Sequence, residues 1–407
     1  MAENLHILNI GYTWPEPTTT AAGVRMLQLI ELFLKKQWTI TFASTADKTP
    51  YSENLKARGI EEVDIQLNDS NFDSFVTKLN PDIVVFDRFL TEEQFGWRVR
   101  EHCPKALCVL DTEDLHFLRA YRQQYGYESI DERIFDTDLT KREIAAIYRC
   151  DVSLIISEFE KELLETTFNI PSSILHYTPL FISEMTLETI QSFENRQHFV
   201  FFGNFQHKPN VDAVLYLYTE LWPSVKKQLP DVEIHIYGAY APKQILQLHN
   251  PKKGFVIKGW VLDLDDVLNQ YRVLLAPLRF GAGLKGKLIK AMTNGLPFVT
   301  TPIGAEGILI KDEHESSVAT QSELLIKYAI ELYKTPSLWL LKQQQGFRVV
   351  KERFAMPEHQ EALFKKLKTV SDNLKQHRHQ NFIGSLLNHH HHLSVKYLAK
   401  WIEAKNK

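Results

Sequence analysis

Short apolar runs rich in β-branched residues alternate with segments of helical periodicity along the first half of the chain. Between the first two runs, Val24, Leu27 and Ile30 recur at the spacing of one helical face, which predicts a helix. The predicted strands are HILNIG from His6, TITFAS from Thr39, DIVVFD from Asp82, ALCVLDT from Ala106 and DVSLIIS from Asp151. Apolar strands without alternation, separated by helices, are typical of a parallel sheet covered on both faces. Residues 1–190 are therefore predicted to form a doubly wound, Rossmann-like α/β domain.

The same pattern restarts after a polar stretch from Glu184 to Gln197. The predicted strands there are HFVFFGNF, VEIHIYG from Val232, GFVIKGW from Gly254, VLLAPL from Val273 and FVTT from Phe298. We expect a second domain of the same class over residues 191–355. Two such domains in tandem face each other across a cleft, where the carboxyl ends of open α/β sheets bind ligands.

Residues 356–407 are predicted to be helical. The segment SVKYLAKWIEAKNK places Val395, Leu398 and Trp401 to Ile402 on one helical face. We expect this helix to cross back and pack on the first domain with that face. Membrane association through Trp401 and nearby lysines is the alternative that the pattern leaves open.

The composition of the chain limits the kinds of molecule that it is expected to bind. The 407 residues exceed what one hydrophobic core supports, and the net charge of −3 attracts neither nucleic acid nor an anionic surface as a whole. The three cysteines (Cys103, Cys108 and Cys150) have neither metal-ligand nor disulfide-scaffold spacing. Since no signal peptide and no apolar run of about 20 residues is apparent, we expect a cytoplasmic protein, with peripheral membrane contact left open.

A basic, glycine-rich loop follows the predicted strand VLLAPL and begins a helix, in the order PLRFGAGLKGKLIKAM. Cations are disfavoured at a helix N-terminus, whose free N–H groups already carry partial positive charge. Lys285 and Lys287 at that position, with Arg279 before them, therefore predict an anion in the loop. The other interpretation is a solvated, lysine-bearing first turn beside a flexible loop. Neither a Walker sequence nor GxGxxG is present, so the residues alone predict a phosphate-bearing ligand in an interdomain cleft.

Several separated blocks then make the chain resemble a known family. FFGNFQHKPNVDAVLYLYTELWP, VEIHIYG, GWVLDLDDVL and APLRFGAGLKGKLIKAMTNGLPFVTTPIGAEGI closely resemble the donor domain of retaining glycosyltransferases of family 4, with the GT-B fold. TAAGVRMLQLIELF, VLDTEDLHFLR and SEFEKELL look like that family's acceptor domain. The resemblance runs from Ile7 to about Phe354. It implies a nucleotide diphosphate sugar as donor, a saccharide or lipid-linked saccharide as acceptor, and a place in bacterial polysaccharide or glycolipid synthesis.

The resemblance also assigns the donor site. It implies that Arg279, Lys285 and Lys287 neutralise the leaving diphosphate, so that no metal ion or other cofactor is needed. Accordingly, DLDD from Asp263 is interpreted as a helix N-terminus rather than a cation site. The residues expected to contact the donor are Gly23, Gly203, Asn204, Val261, Arg279, Gly281, Ala282, Gly283, Leu284, Lys285, Lys287, Lys290 and Glu306. For Val261 the alternative of a strand-end core residue stays open.

On the acceptor side, His116 matches the position that approaches the donor sugar, and Asp114 is the next candidate in that loop. An imidazole there can bond a sugar hydroxyl or stabilise an oxocarbenium-like transition state. The alternative is a packed or surface histidine. With Arg279 and Lys285, these two residues are the predicted catalytic set.

One departure from the family is marked. Members usually carry a glutamate where this chain has Lys290, and another eight residues earlier, where it has Ala282. Lysine cannot accept a hydrogen bond from a ribose hydroxyl. Glu306 could substitute, the donor could be held differently, or turnover could be lost. Two other functions therefore stay open: a catalytically silent nucleotide-binding subunit and a sugar-nucleotide epimerase.

Overall fold

The computed structural model describes residues 4–127, 130–182, 190–354 and 356–406. The part of the polar stretch that covers residues 183–189 lies outside these ranges. A seven-stranded parallel sheet has the order β3-β2-β1-β4-β5-β6-β7, and a five-stranded parallel sheet has the order β10-β9-β8-β11-β12. The strands are β1 His6–Gly11, β2 Thr39–Ser44, β3 Glu61–Asp64, β4 Ile83–Asp87, β5 Leu107–Asp111, β6 Val152–Ile155, β7 Leu175–Tyr177, β8 Gln197–Phe202, β9 Ile234–Tyr237, β10 Phe255–Gly259, β11 Tyr271–Ala276 and β12 Phe298–Thr300.

Helices connect the strands and cover both faces of each sheet. They are α1 Ala21–Lys35, α2 Asn71–Leu79, α3 Arg88–His102, α4 His116–Tyr125, α5 Asp138–Arg149, α6 Glu158–Thr166, α7 Lys208–Tyr216, α8 Trp222–Gln228, α9 Lys243–Leu246, α10 Leu264–Leu268, α11 Gly286–Thr293, α12 Pro302–Ala305, α13 Ser322–Lys334, α14 Pro336–Arg353, α15 Met356–Asp372, α16 Leu374–Gln380 and α17 Phe382–Asn406.

All ten strands that the sequence predicts are present, which confirms two doubly wound α/β domains. The prediction missed β3 and β7, the two edge strands of the first sheet. The sequence of β3 is EEVD, in which three acidic residues leave no apolar run that would predict a strand. Strand β7 is only three residues long. Edge strands face water on one side and need fewer apolar residues than central ones.

Successive side chains of each strand point to opposite faces of the sheet, and the buried core is divided accordingly. In the first domain, Leu8 and Phe86 pack in a cluster on one face of the sheet, whereas Ile7 and Val85 pack in a second cluster on the other face. In the second domain one cluster surrounds the five strands. Burying each such side chain contributes about 1.5–3 kcal/mol to the stability of the fold. The two sheets are therefore stable supports for the loops at their carboxyl ends.

The last helices return to the first domain. Leu363 and Leu367 of α15 are buried in one of its two core clusters, and Arg378 of α16 donates to both carboxylate oxygens of Asp151 at 2.8 Å. The predicted packing face of α17 is wrong, however. Leu398 and Trp401 are each 57% exposed, and Ala399 is the buried residue of that segment. The chain of α17 lies close to α5, since a Cβ at Gly384 would clash with the carbonyl of Tyr148, and a small residue, Ala399, is the one that faces inward. No helix in the described part of the chain is long and apolar enough to cross a membrane.

Candidate functional site

The basic loop between β11 and α11 reaches across the domain boundary. Gly283 has φ +65°, and a Cβ there would lie 2.7 Å from the Cβ of Asp114 in the first domain. Its N–H donates to Oε1 of Glu160 at 2.7 Å. Ala282 is buried in a core cluster of the first domain, whereas Leu284 belongs to the core of the second. Only glycine combines this backbone conformation with so close an approach, which explains its place in the loop.

The helix that follows is built as the pattern predicts. Leu288, Ala291 and Met292 face the core, and Gly295 ends the helix with φ +56°. Lys285 occupies the N-cap position, and its side chain makes no capping hydrogen bond. The first turn of α11 therefore keeps its partial positive charge at the domain boundary.

Two ammonium groups lie at this helix start and donate hydrogen bonds to neutral oxygens. Lys285 is 8% exposed, and its Nζ donates to the carbonyl of Gly283 at 2.7 Å. Nζ of Lys287 donates to Oδ1 of Asn210 at 2.6 Å and lies 4.2 Å from the centre of the Phe201 ring. Within the described residues, neither ammonium has a carboxylate at salt-bridge distance. Burial lowers the pKa of Lys285, and burial together with the neighbouring Lys285 lowers the pKa of Lys287 to about 7. Both groups would gain from an anion.

Arg279 and Lys290, which were expected beside these lysines, are engaged elsewhere. The Arg279 guanidinium is 49% exposed and pairs with Asp212 of α7 at 2.5 Å. Nζ of Lys290 donates to Asp265 of α10 at 2.6 Å. Each cation thus forms an ion pair with an acid on a helix of its own domain. The structure thus brings Lys285 and Lys287 together, whereas Arg279 and Lys290 are each paired with a carboxylate.

Glu306, also expected to contact the donor, is held by a residue that the sequence prediction missed. Arg122 of α4 donates to both of its carboxylate oxygens, at 2.8 and 2.6 Å, and to the carbonyl of Gly281 at 2.9 Å. The guanidinium lies 5.1 Å from the Tyr127 ring centre and 5.2 Å from that of Phe159. This buried pair joins the two domains and occupies both oxygens of Glu306. Arg122 lies three residues beyond the end of the block VLDTEDLHFLR, and no motif in the sequence indicates its role.

The loop that starts α4 brings His116 and Asp114 to the same boundary. Nδ1 of His116 lies 3.1 Å from the carbonyl oxygen of Asp114. Since a carbonyl only accepts, Nδ1 carries the proton in this bond, and in the neutral imidazole Nε2 is then the acceptor. Burial alone would raise the pKa of the Asp114 carboxyl, but the Arg119 guanidinium and His116 hold it well below its usual range. Asp114 is therefore an ionised group that orients its neighbours.

Glu160 is a second residue that the prediction missed, although it lies within the block SEFEKELL. It is fully buried, and Oε1 accepts from the N–H groups of Leu115 and Gly283 at 3.1 and 2.7 Å. Burial and the nearby charge of Asp114 raise its pKa to about 8. Glu160 thus fastens the basic loop to the start of α4, which fixes the distance between the lysines and His116.

The remaining predicted donor contacts lie around the same boundary. Gly23 is required because a Cβ would meet the backbone of Glu16 at 2.4 Å. At Gly203 a Cβ would meet the side chain of Asn210, the residue that also holds Lys287. Asn204 is buried, and its amide nitrogen has no partner within the described protein. Val261 follows β10 and packs partly buried against the second core, so both of its interpretations stay open.

The other side of the cleft is closed by aromatic and polar contacts. Tyr240 donates to the Glu16 carboxylate at 2.9 Å, and the Tyr51 ring of the first domain lies 5.0 Å from that of Trp260. Between these elements lies a cavity of about 120 Å³. It is lined by Thr13, Trp14, Glu16, Thr20, Asp47, Thr49, Ser52, Gln206 and Tyr240. Hydroxyl and carboxylate groups dominate this lining, in contrast to the ammonium groups near α11.

Asp263 acts as the sequence predicts, since its Oδ1 accepts from the N–H groups of Asp265 and Asp266 and caps α10. Among the described residues, no three or more His, Cys, Asp or Glu side chains are grouped so as to hold a metal ion.

The pKa of Lys287 leads to a prediction for ligand binding. In the free protein the Lys287 side chain loses its proton above about pH 7. Binding of an anion that needs the ammonium must therefore be accompanied by uptake of a proton by Lys287. We expect the affinity for a nucleotide diphosphate sugar, whose phosphates do not titrate in this range, to fall up to about tenfold per pH unit above pH 7. Calorimetric titrations with UDP-glucose between about pH 6.5 and 8.5 check this. In Lys287→Met the affinity should be lower and nearly independent of pH; an unchanged pH dependence would contradict the assignment.

Comparison with known proteins agrees with this architecture. Residues 196–335 match the family model described as Glycosyl transferases group 1. No curated protein sequence matches the chain. Among solved structures, a complex of a Staphylococcus aureus TarM variant with fondaparinux, α-GlcNAc-glycerol and UDP has a TM-score of 0.69 at 10% identity, covering 89% of this chain and 99% of that one.

Two further structures are similar along nearly their whole length. Anabaena HepE in complex with UDP and glucose has a TM-score of 0.67 at 11% identity, covering 90% of this chain and 100% of that one. WaaG, a glycosyltransferase involved in lipopolysaccharide biosynthesis, has a TM-score of 0.63 at 12% identity, covering 88% and 98%. At such identities the likeness shows the fold, which is GT-B.

Proposed function

We propose that this chain is a glycosyltransferase that moves a sugar from a nucleotide diphosphate sugar to an acceptor hydroxyl with retention of configuration. The acceptor oxygen bonds to the anomeric carbon as the bond from that carbon to the β-phosphate oxygen breaks. The leaving diphosphate takes the electron pair and then the proton of the acceptor hydroxyl. Lys285 and Lys287 stabilise the charge that develops on the diphosphate, and His116 accepts a hydrogen bond from a sugar hydroxyl. Closure of the two domains limits hydrolysis by water.

The observation that carries the proposal is the pair of ammonium groups at the domain boundary. Lys285 is buried and Lys287 is half-buried at a helix N-terminus, and neither faces a carboxylate at salt-bridge distance among the described residues. Their hydrogen bonds go to the neutral oxygens of Gly283 and Asn210, so a bound diphosphate would supply the opposite charge at short distance that these groups lack. The match to a glycosyltransferase family model and the UDP in the HepE and TarM complexes support a sugar nucleotide as the source of that diphosphate.

The proposed donor contacts differ from the family pattern. Both oxygens of Glu306 accept from Arg122, which holds this carboxylate in a buried pair between the two domains. Lys290 is paired with Asp265, whose other oxygen accepts from Asn294 at 2.6 Å. We propose that the donor is held chiefly through its diphosphate, with Arg279 and Val261 as further candidates whose part is still to be tested.

A catalytically silent nucleotide-binding subunit is the second candidate, and Lys290 is the observation that favours it. Such a protein would bind UDP and turn over no donor. A sugar-nucleotide epimerase would change the donor sugar without any acceptor, so product analysis without acceptor separates it.

The experiment that tests the proposal is a thermal-shift panel with UDP, GDP, ADP, dTDP and CMP. We expect one diphosphate to raise Tm and CMP to have the smallest effect. Turnover is then measured with the sugar nucleotides of the base that binds, and retention is determined from the anomeric proton of the product. Absence of stabilisation by every diphosphate would contradict the proposal.

We propose that the chain acts in bacterial polysaccharide or glycolipid synthesis, in the cytoplasm and in peripheral contact with a membrane. Tyr397, Leu398 and Trp401 of α17 are exposed beside Lys400 and Lys405, a combination suited to an anionic lipid surface. Sedimentation with phosphatidylglycerol vesicles, compared with phosphatidylcholine vesicles, tests this contact.

A further inference from the structure

The two domains meet at opposite ends of the cleft through contacts of different kinds. At one end, Arg122, which follows β5 of the first sheet, pairs with Glu306, which follows β12 of the second. The chain also returns to the first domain at this end, through α15. The guanidinium of Arg353, at the end of α14, donates to the carbonyl of Ile308, two residues beyond Glu306. We therefore call this side of the cleft the hinge end.

At the other end, four loops meet through hydrogen bonds and ring contacts. The hydroxyl of Tyr240, just beyond β9, donates to the carboxylate of Glu16 and lies 3.0 and 2.9 Å from its two oxygens. Nε1 of Trp260, just beyond β10, donates to the carbonyl of Thr18 at 3.3 Å. The ring of Tyr51 lies 5.3 Å from that of Tyr240 and 5.0 Å from that of Trp260. These five residues, which join the two domains, are called the latch.

The latch and the hinge end lie on opposite sides of each sheet. In the second sheet three strand spacings separate β9 from β12, which is about 14 Å at the usual distance between neighbouring strands. In the first sheet the latch follows β1 and β2, whereas the hinge end follows β5. A rotation of the domains about the hinge end would therefore separate the latch residues.

The latch is easier to open than the buried ion pair at the hinge end. Its two tyrosines are half-buried and Trp260 is 36% exposed, so water reaches their polar groups once they separate. The Glu16 carboxylate keeps hydrogen bonds from its own domain, because the hydroxyls of Thr19 and Thr49 donate to it at 2.7 and 2.5 Å. Opening the latch leaves Glu16 with these partners, whereas opening the hinge end would leave a buried carboxylate without its cation.

The latch residues of the second domain belong to loops that are proposed to hold the donor. Tyr240 has φ +59°, a left-handed backbone conformation that residues other than glycine rarely adopt. It follows Gly238, where a Cβ would lie 2.0 Å from the carbonyl oxygen of Gly203. Trp260 directly precedes Val261. Gly203 and Val261 are both proposed donor contacts, so the state of the latch and the position of the donor loops are linked.

The space beside the latch is too small to admit a sugar nucleotide. The cavity that Glu16 and Tyr240 help to line has a volume of about 120 Å³. Sites that hold ligands of comparable size to a sugar nucleotide usually have roughly 300–1,000 Å³. A donor that enters at this end of the cleft therefore requires the domains to move apart.

We propose that the latch controls the exchange of the donor: it is formed in the free protein as well as in the complex, and it opens for the sugar nucleotide to enter or leave. The inference rests on the proposed function and adds the conformational step that limits donor exchange. Because the latch stabilises the closed state of both free and bound protein, it slows association and dissociation alike.

The test compares wild type with Tyr240→Phe, which loses the hydroxyl of the latch and keeps the ring. Stopped-flow fluorescence with N-methylanthraniloyl-UDP measures the association and dissociation rate constants. We expect both to rise about tenfold in the variant, the factor for one lost hydrogen bond to a charged group, while the affinity stays the same within about twofold. Tyr328→Phe, at a half-buried tyrosine of α13, is the matched control and should change neither rate constant.

A direct contact between Tyr240 and the donor has a different signature. The dissociation rate constant alone would then rise and the affinity would fall, which would overturn the inference, as would two unchanged rate constants. If wild type binds no UDP, the proposed function fails, and small-angle X-ray scattering of the ligand-free protein still decides the inference. Tyr240→Phe combined with Trp260→Phe should have a larger radius of gyration than wild type, and an equal radius would show that no latch holds the cleft closed.

Discussion

Replacing Arg122 by glutamine should lower the free energy of unfolding by about 3–5 kcal/mol, because it leaves the Glu306 carboxylate buried and unpaired. The side chains of this pair are only 2% and 5% exposed, and they come from different domains. The variant can relieve part of the cost by opening the cleft, so that water reaches Glu306. Urea unfolding measures the stability, and small-angle X-ray scattering measures the opening as a larger radius of gyration.

Two further variants isolate the contribution of this pair. Arg122→Gln combined with Glu306→Gln removes both charges and should recover most of the stability, since no buried ion is left without a partner. Arg133→Gln breaks an exposed pair with Asp131, which water screens, and should change the stability little. If Arg122→Gln is no more costly than Arg133→Gln and does not change the radius of gyration, the interdomain pair does not hold the domains together.

Replacing His116 by alanine should lower kcat about 10²–10³-fold, the usual cost of removing one group that stabilises a transition state. The hydrogen bond between Nδ1 and the Asp114 carbonyl leaves Nε2 of the neutral imidazole as an acceptor, and Asp114 in the same loop lies against Gly283 of the basic loop. Initial rates at saturating donor and acceptor measure the effect.

UDP affinity should be unchanged in His116→Ala, since the histidine is proposed to face the sugar rather than the diphosphate. His116→Gln, which can still accept a hydrogen bond, should retain more activity than alanine. His102→Ala, at the end of α3, is the matched control. Equal activity of His116→Ala and His102→Ala would leave His116 as a packing residue against the ring of Phe89.

Much of the fold could be predicted from the sequence because buried parallel strands leave continuous apolar runs, as in VLLAPL and DIVVFD. Strand β3 escaped prediction because its EEVD sequence carries three acids, and only its pairing with β2 makes it a strand. The packing face of α17 was wrong for a related reason. Periodicity identifies an apolar face, but the shape of the underlying helices selected Ala399 rather than Leu398 or Trp401.

The site was predictable where one segment carries the chemistry. The glycines and lysines around Lys285 are contiguous, and their place at a helix start follows from the pattern. The partners of Arg279 and Lys290 are Asp212 and Asp265, which are distant in sequence and carry no motif. The same holds for Arg122 and Glu306, whose pairing depends on how the two domains meet.

The central claim is that Lys285 and Lys287 bind a diphosphate, and isothermal titration calorimetry with UDP and uridine tests it most directly. Lys285→Met and Lys287→Met should each weaken UDP binding at least about tenfold, as expected for a lost charge-assisted hydrogen bond, and leave uridine binding unchanged. Lys327→Met, at an exposed pair on α13, is the control and should change neither. Equal losses for UDP and uridine, or no loss for either, would contradict the claim.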